Sequence, residues 1–271
     1  MQDYFGKNAD ALTKKKLFLF DMDGTIYREN TLFDGIIPMF NKIKEKGGHF
    51  AFITNNPSKS VKDYLKKMQT LGVTNLTADH FFTSAQATAQ ILTERYKNAL
   101  IYAQGTKSFI KELKSHKLRV TTRFSKEIGA IVVAFDPELT AKKLRTTCEV
   151  LTKLDVPYFA TNPDLNCPVD FGAIPDCGSM CMGIYNATGK NPIYIGKPQP
   201  TMIVKLMKKF GVNKEETVVV GDRLYTDIAS GVNAGVDTVC VLCGEATIDD
   251  IKTAKTVEMP TFVFAHTKEI V

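Results

Sequence analysis

Leu17-Phe18-Leu19-Phe20-Asp21-Met22-Asp23-Gly24-Thr25 is an apolar run that stops abruptly in acids. Four consecutive large apolar residues suit a strand buried on both faces, as in a parallel sheet. The alternation of a strand places Asp21 and Asp23 on one side and Met22 on the other. Gly24 then lets the chain turn sharply. Two carboxylates this close repel each other unless a cation or a shared proton offsets them. An acid–base pair or a metal site fits that pattern, and so does an ordinary Asp-rich turn.

Working outward, the same figure recurs along the chain. Residues 49–53 read as a strand ending in Thr54-Asn55-Asn56, with a helical pattern over 58–71 behind it. Residues 193–195 lead into Gly196-Lys197-Pro198, and residues 217–220 into Gly221-Asp222-Arg223-Leu224-Tyr225-Thr226-Asp227. Helices are expected over 35–46, 106–115, 140–154, 201–210 and 227–234. Further strands are expected over 99–103, 130–135, 158–161 and 238–242. Strands alternating with amphipathic helices predict an α/β fold whose parallel sheet is covered by helices.

Each strand end carries a possible chemistry. Thr54 offers a hydroxyl and Asn55 further donors, a natural phosphate cradle ahead of a helix N-terminus, although helix capping explains these residue types equally well. Lys197 can hold a phosphoryl oxygen as a point charge. Asp222 and Asp227 supply the hard oxygen ligands that suit Mg²⁺, with helix capping as the other reading of Asp227.

Composition narrows the field. The 271 residues are 44% hydrophobic and carry a net charge of +6. No apolar run approaches the roughly 18–20 residues that span a bilayer, and the first eleven residues form no apolar leader stretch, so a cytoplasmic protein is expected. The lysine doublets fall on helical patterns without interleaved aromatics, which argues against nucleic acid as a partner. Cys240 and Cys243 lie three apart in a strand pattern, pointing to opposite faces. The six cysteines are read as free thiols of a reducing compartment.

In these four segments, and in their order, the sequence resembles the haloacid dehalogenase superfamily, above all its NagD-type or 4-nitrophenylphosphatase-like branch. Ala160-Thr161-Asn162-Pro163-Asp164 adds to that likeness. The resemblance implies a doubly wound, Rossmann-like parallel-sheet core, residues 1–83 and 190–271, with an α/β cap inserted at 84–189 that covers the site and contacts the leaving group. It implies a Mg²⁺-dependent phosphatase acting on small phosphomonoesters of the nucleotide monophosphate or sugar phosphate class. Asp21 would be the nucleophile, forming an aspartyl-phosphate, and Asp23 the general acid–base. Thr54, Asn55 and Lys197 would bind phosphate, with Asn162 and Asp164 as cap residues near substrate. The metal would fall to Asp21, Asp23 (through its backbone carbonyl), Asp222 and Asp227. A homodimer through the cap is a further implication. Two rivals stand beside this reading: a phosphotransferase or mutase on the same core, and a non-catalytic binding protein. The segment 172–183 matches the family pattern least, and substrate recognition is expected there.

Overall fold

A computed structural model describes residues 1–169 and 171–271. The chain forms two compact units. One comprises Met1–Thr54, Val61–Phe82 and Lys197–Val271, and the other Asn55–Ser60 and Thr83–Gly196.

The first unit is built on a six-stranded sheet. Its order is Phe262–Phe264, Asp237–Val241, Thr217–Gly221, Leu17–Phe20, His49–Thr54, Phe81–Thr83. Leu17–Phe20 is central and wholly buried, as its uninterrupted apolar run requires. It pairs in parallel with both His49–Thr54 and Thr217–Gly221, and the parallel run continues through Asp237–Val241 to Phe262–Phe264. The winding reverses at Leu17–Phe20, so the carboxyl ends of this strand and Thr217–Gly221 flank a topological switch point, where open α/β sheets bind ligands. Helix Ile36–Glu45 covers one face through Ile36, Met39, Phe40 and Ile43, a helical stripe. Phe40 stacks on Phe50 with ring centroids 4.2 Å apart. Helix Thr201–Phe210 buries Met202, Ile203, Leu206 and Met207 in the same manner.

The second unit carries its own five-stranded parallel sheet, in the order Ile193–Tyr194, Tyr158–Ala160, Ile128–Val133, Leu100–Gln104, Arg119–Thr121. An antiparallel hairpin, Asn166–Val169 with Gly172–Pro175, and helix Cys177–Thr188 complete it. The α/β class is therefore as expected, with parallel sheets in both units. The boundary is not placed as expected. Ile193 and Tyr194 pair with Phe159 and Ala160, so the strand before Lys197 belongs to the second unit, and the division falls at Gly196 rather than at 189. Residues 55–60 also cluster with the second unit. Among the described residues, no helix is long and apolar enough to cross a membrane.

Candidate active site

Asp21 is the first residue beyond the central strand, its N–H bonded to the Val220 carbonyl. On the other side of the switch point, Asp222 follows Thr217–Gly221. Asp227 sits in a wide π turn, Leu224–Ile228, that leads into helix Ala229–Ala234. Such turns recur at functional sites because they re-aim side chains. The Lys197 ammonium lies 2.5 Å from Asp21 Oδ1 and 2.5 Å from Asp227 Oδ1, and donates a longer bond of 3.3 Å to the Ile53 carbonyl. Carboxylate oxygens of Asp21, Asp222 and Asp227 all lie within 4.8 Å of one another.

The remaining lone pairs are used with economy. Asp222 Oδ1 accepts from the Thr25 hydroxyl at 3.0 Å and Oδ2 from the Glu245 N–H at 2.9 Å. Asp227 Oδ2 accepts from the Arg223 N–H at 3.1 Å. Gly24, at φ +85°, and Gly244 both press against the Asp222 carboxylate so closely that a Cβ at either position would overlap it. The position of Asp222 is thus set from two loops at once.

Electrostatics mark the cluster as incomplete. Burial pushes the Asp21 carboxyl well above the ordinary carboxylate range, and the charge of Asp227 adds to the rise while Lys197 opposes it. Burial likewise lifts Asp222 to about 6, with Asp227 again contributing. Burial works against the Lys197 ammonium, but Asp21 and Asp227 outweigh it and hold its pKa above the usual lysine range. With all groups ionised, three carboxylates and one ammonium leave two negative charges, the nearby Arg223 being paired with Glu245 at 2.8 Å. A hard divalent cation neutralises that excess and prefers such oxygen donors. The residues present therefore fit a divalent metal, with Asp21 and Asp222 as holders. Asp227 is already tied to Lys197 and the Arg223 N–H.

The other expected site residues divide. Thr54, nearly buried, ends the strand that neighbours Leu17–Phe20, one residue beyond the carbonyl that Lys197 reaches. The Asp23 side chain stands outside the carboxylate cluster and is 64% exposed, because the turn after Asp21 carries it outward. Tyr27 donates to its Oδ2 at 3.2 Å, and burial keeps that phenol protonated. Asn55 clusters with the second unit. Its side-chain amide donates to Asp164 Oδ2 at 2.7 Å within the second unit. Asn162 donates to the same oxygen at 2.8 Å and to Asp176 Oδ1 at 3.0 Å, while Asp176 caps helix Cys177–Thr188. These four residues form one buried polar network. Asp227 is not the N-cap of helix Ala229–Ala234, yet its Oδ2 accepts from the N–H of Arg223, which caps the π turn, while Oδ1 takes Lys197. Sequence reasoning gave no role to Thr25, Gly244 or Glu245. Thr25 stood in the quoted motif, but only the tertiary fold brings 244–245 to Asp222.

Comparison with known proteins gives a consistent picture. Residues 18–119 match the family model described as haloacid dehalogenase-like hydrolase, and residues 194–270 match a second model of the HAD hydrolase-like type. Phosphoglycolate phosphatase 2 of Arabidopsis thaliana is 35% identical over 249 residues, covering 84% of this chain and 82% of that protein. The crystal structure of 4-nitrophenylphosphatase from Thermotoga maritima superposes with a TM-score of 0.90 at 37% identity, covering 96% of this chain and 97% of that one. Glycerol phosphate phosphatase of Mycobacterium tuberculosis, solved in complex with magnesium, gives 0.89 at 26% identity, covering 100% and 78%.

Proposed function

Because this chain belongs to the haloacid dehalogenase-like hydrolase family, we propose that its carboxylate cluster hydrolyses small phosphomonoesters, with Mg²⁺ as the divalent cation. The observation that carries the reading is the Lys197 ammonium held between Asp21 and Asp227, with Asp222 beside them at the switch point. A lone carboxylate nucleophile would repel a phosphate dianion. Here a lysine and a cation-sized charge deficit stand next to it.

In this proposal Asp21 attacks phosphorus in line, forming an aspartyl-phosphate as the ester P–O bond breaks. Asp23, outside the cluster and open to solvent, passes a proton to the leaving oxygen and then takes one from the hydrolytic water. Lys197 and the Thr54 hydroxyl hold the transferring phosphoryl oxygens. Asp227 keeps Lys197 aimed, and Thr25 and the Glu245 N–H keep Asp222 aimed. Asp21 and Asp222 would hold Mg²⁺, which would supply charge neutralisation for nucleophile and phosphate; the calcium and magnesium complexes of the Mycobacterium relative support a divalent cation. Sugar phosphates and related small metabolites are the proposed substrate class, in keeping with the phosphoglycolate and glycerol phosphate phosphatases among the relatives.

Two further readings accompany this one. Six free cysteines support a reducing, cytoplasmic setting. A homodimer formed through the second unit is a further proposal, with Phe171, 84% exposed there, as a candidate contact. The test of the central proposal is Asp21→Asn. Turnover of p-nitrophenyl phosphate should fall by about three orders of magnitude or more with the fold intact. Undiminished turnover would remove Asp21 as nucleophile, and activity indifferent to EDTA would remove the metal.

A further inference from the structure

Asp23 poses a physical problem that the proposed chemistry leaves open. A proton donor must meet the leaving oxygen at hydrogen-bond distance, yet this carboxylate is largely exposed. An exposed side chain hops among rotamers, and each unproductive one costs rate.

Two residues of the same unit answer this. The turn after Asp21 folds back so that the Gly24 N–H bonds to the Tyr27 carbonyl at 2.8 Å and the Tyr27 N–H to the Met22 carbonyl at 3.3 Å. That brings Tyr27 beneath Asp23, with its ring wholly buried and its hydroxyl 3.2 Å from Asp23 Oδ2. A buried phenol cannot follow a wandering partner, so the bond tethers the carboxylate to the core. From helix Val61–Thr70, Lys67 lays its ammonium 3.7 Å from the centre of the Tyr27 ring and 3.6 Å from Asp23 Oδ1. The first contact is a cation–π interaction that locates the lysine. The second is an ion pair longer than a hydrogen bond, so Lys67 draws the ionised carboxylate toward one orientation without bonding to it.

We infer that Tyr27 and Lys67 form a bracket that positions Asp23 for proton transfer to the leaving group. Tyr27 holds Oδ2 and Lys67 faces Oδ1, so both oxygens are fixed in direction. The two act through Asp23 and are positioning residues. The inference rests on the phosphatase reading, and it makes a demand that a purely structural role does not. As the ester P–O bond breaks, a phenolate leaving group needs the Asp23 proton more than a p-nitrophenolate does, because nitro substitution already stabilises the anion. Loss of the bracket must therefore harm phenyl phosphate more than p-nitrophenyl phosphate.

The experiment compares kcat/KM for these two substrates, nearly identical in shape, in the wild-type chain and in Tyr27→Phe, Lys67→Met, Lys67→Arg and Asp23→Asn. The phenyl to p-nitrophenyl ratio should fall about a hundredfold in Asp23→Asn and about tenfold in Tyr27→Phe, within the range of general acid catalysis. Lys67→Met should fall less than Tyr27→Phe, and Lys67→Arg should recover part of that loss. Equal losses on both substrates in Tyr27→Phe, or no loss on either, would overturn the bracket while Asp23→Asn still shows its effect. A wild-type chain that releases phosphate from neither aryl ester, nor from glycerol phosphate or phosphoglycolate, would overturn the phosphatase reading, and the bracket with it.

Discussion

Both units set polar groups at the carboxyl ends of a parallel sheet, but they treat buried charge differently. In the second unit, Asp136 follows strand Ile128–Val133 and is completely buried. One oxygen accepts from Lys143 at 2.8 Å and the other from the Glu138 N–H at 3.0 Å. One carboxylate meets one ammonium, and Lys143 spends a further bond on the Gly105 carbonyl. In the first unit, three carboxylates share one ammonium, and the pKa of two of them is driven upward. Burying charge is costly unless it is paired. A balanced cluster is what a fold needs, whereas an imbalance of two charges is what a dication and a phosphate ester need. The comparison separates a structural ion pair from a site by charge arithmetic alone.

The largest effect should come from removing the ammonium that bridges the unbalanced cluster. Lys197→Met takes away the ammonium that both Asp21 and Asp227 face. Loss of one preorganised donor to the transferring group should lower kcat/KM on p-nitrophenyl phosphate by about a hundred- to a thousandfold. Orphaning buried carboxylates should cost about 3–5 kcal/mol in urea unfolding without divalent cation. Saturating Mg²⁺ should restore stability in this variant far better than activity. A variant that kept wild-type stability without cation would break the claim that the cluster is electrostatically indebted.

A smaller effect lies in the pH dependence of the unsubstituted chain. Asp222 titrates near 6 when folded and near 3.8 when free. Between those values the folded state holds a proton that the unfolded state has released, so stability falls as pH rises from about 4 to 6. The raised Asp21 carboxyl contributes with the same sign. A divalent cation binds the ionised cluster, so its stabilisation should grow across the same window. At a hundred times Kd it should reach about 2–3 kcal/mol at pH 7 and much less at pH 4.5. Thermal melts at the two pH values, with and without Mg²⁺, measure this. A cation-induced shift that is equal at both would place the metal elsewhere.

The cluster at the sheet edge was legible in the sequence because each of its elements is local. An apolar run followed by acids reads the same in one dimension as in three, and Asp21, Lys197, Asp222 and Asp227 were all visible that way. What depends on distant partners was not. Residues 193–194 read correctly as a strand, but nothing in two residues states which sheet they join; pairing with Phe159 and Ala160 decides that. Asn55 is bonded to Asp164, more than a hundred residues away, a partner that its local sequence does not name. Helix Ser84–Tyr96 escaped notice because it buries mainly Ser84, Ala85, Ala87, Thr88 and Ala89, which make no apolar stripe. Its real signal was the capping box of Thr83 with Gln86. Tyr27 and Lys67 are forty residues apart and meet only over Asp23.

The smallest effect sharpens the comparison from its balanced side. Lys143→Met removes the ammonium beside Asp136 and leaves an apolar stem of similar length at the same position of helix Ala141–Lys153. Asp136 keeps the Glu138 N–H, and the lysine was 32% exposed, so water can reach the vacated position. The cost should be about 1–2 kcal/mol in urea unfolding, below that of a fully buried pair broken on one side. Because this pair balances itself, its loss should not respond to Mg²⁺, and kcat/KM on p-nitrophenyl phosphate should stay within about twofold of wild type, as for substitutions away from functional groups. The two methionine variants together isolate the variable. Each deletes one lysine from the edge of a parallel sheet, but only at position 197 should divalent cation repay the loss. If Mg²⁺ rescued both variants equally, or neither, the distinction between balanced and indebted clusters would fail, and the imbalance around Asp21 could no longer serve as the mark of a site.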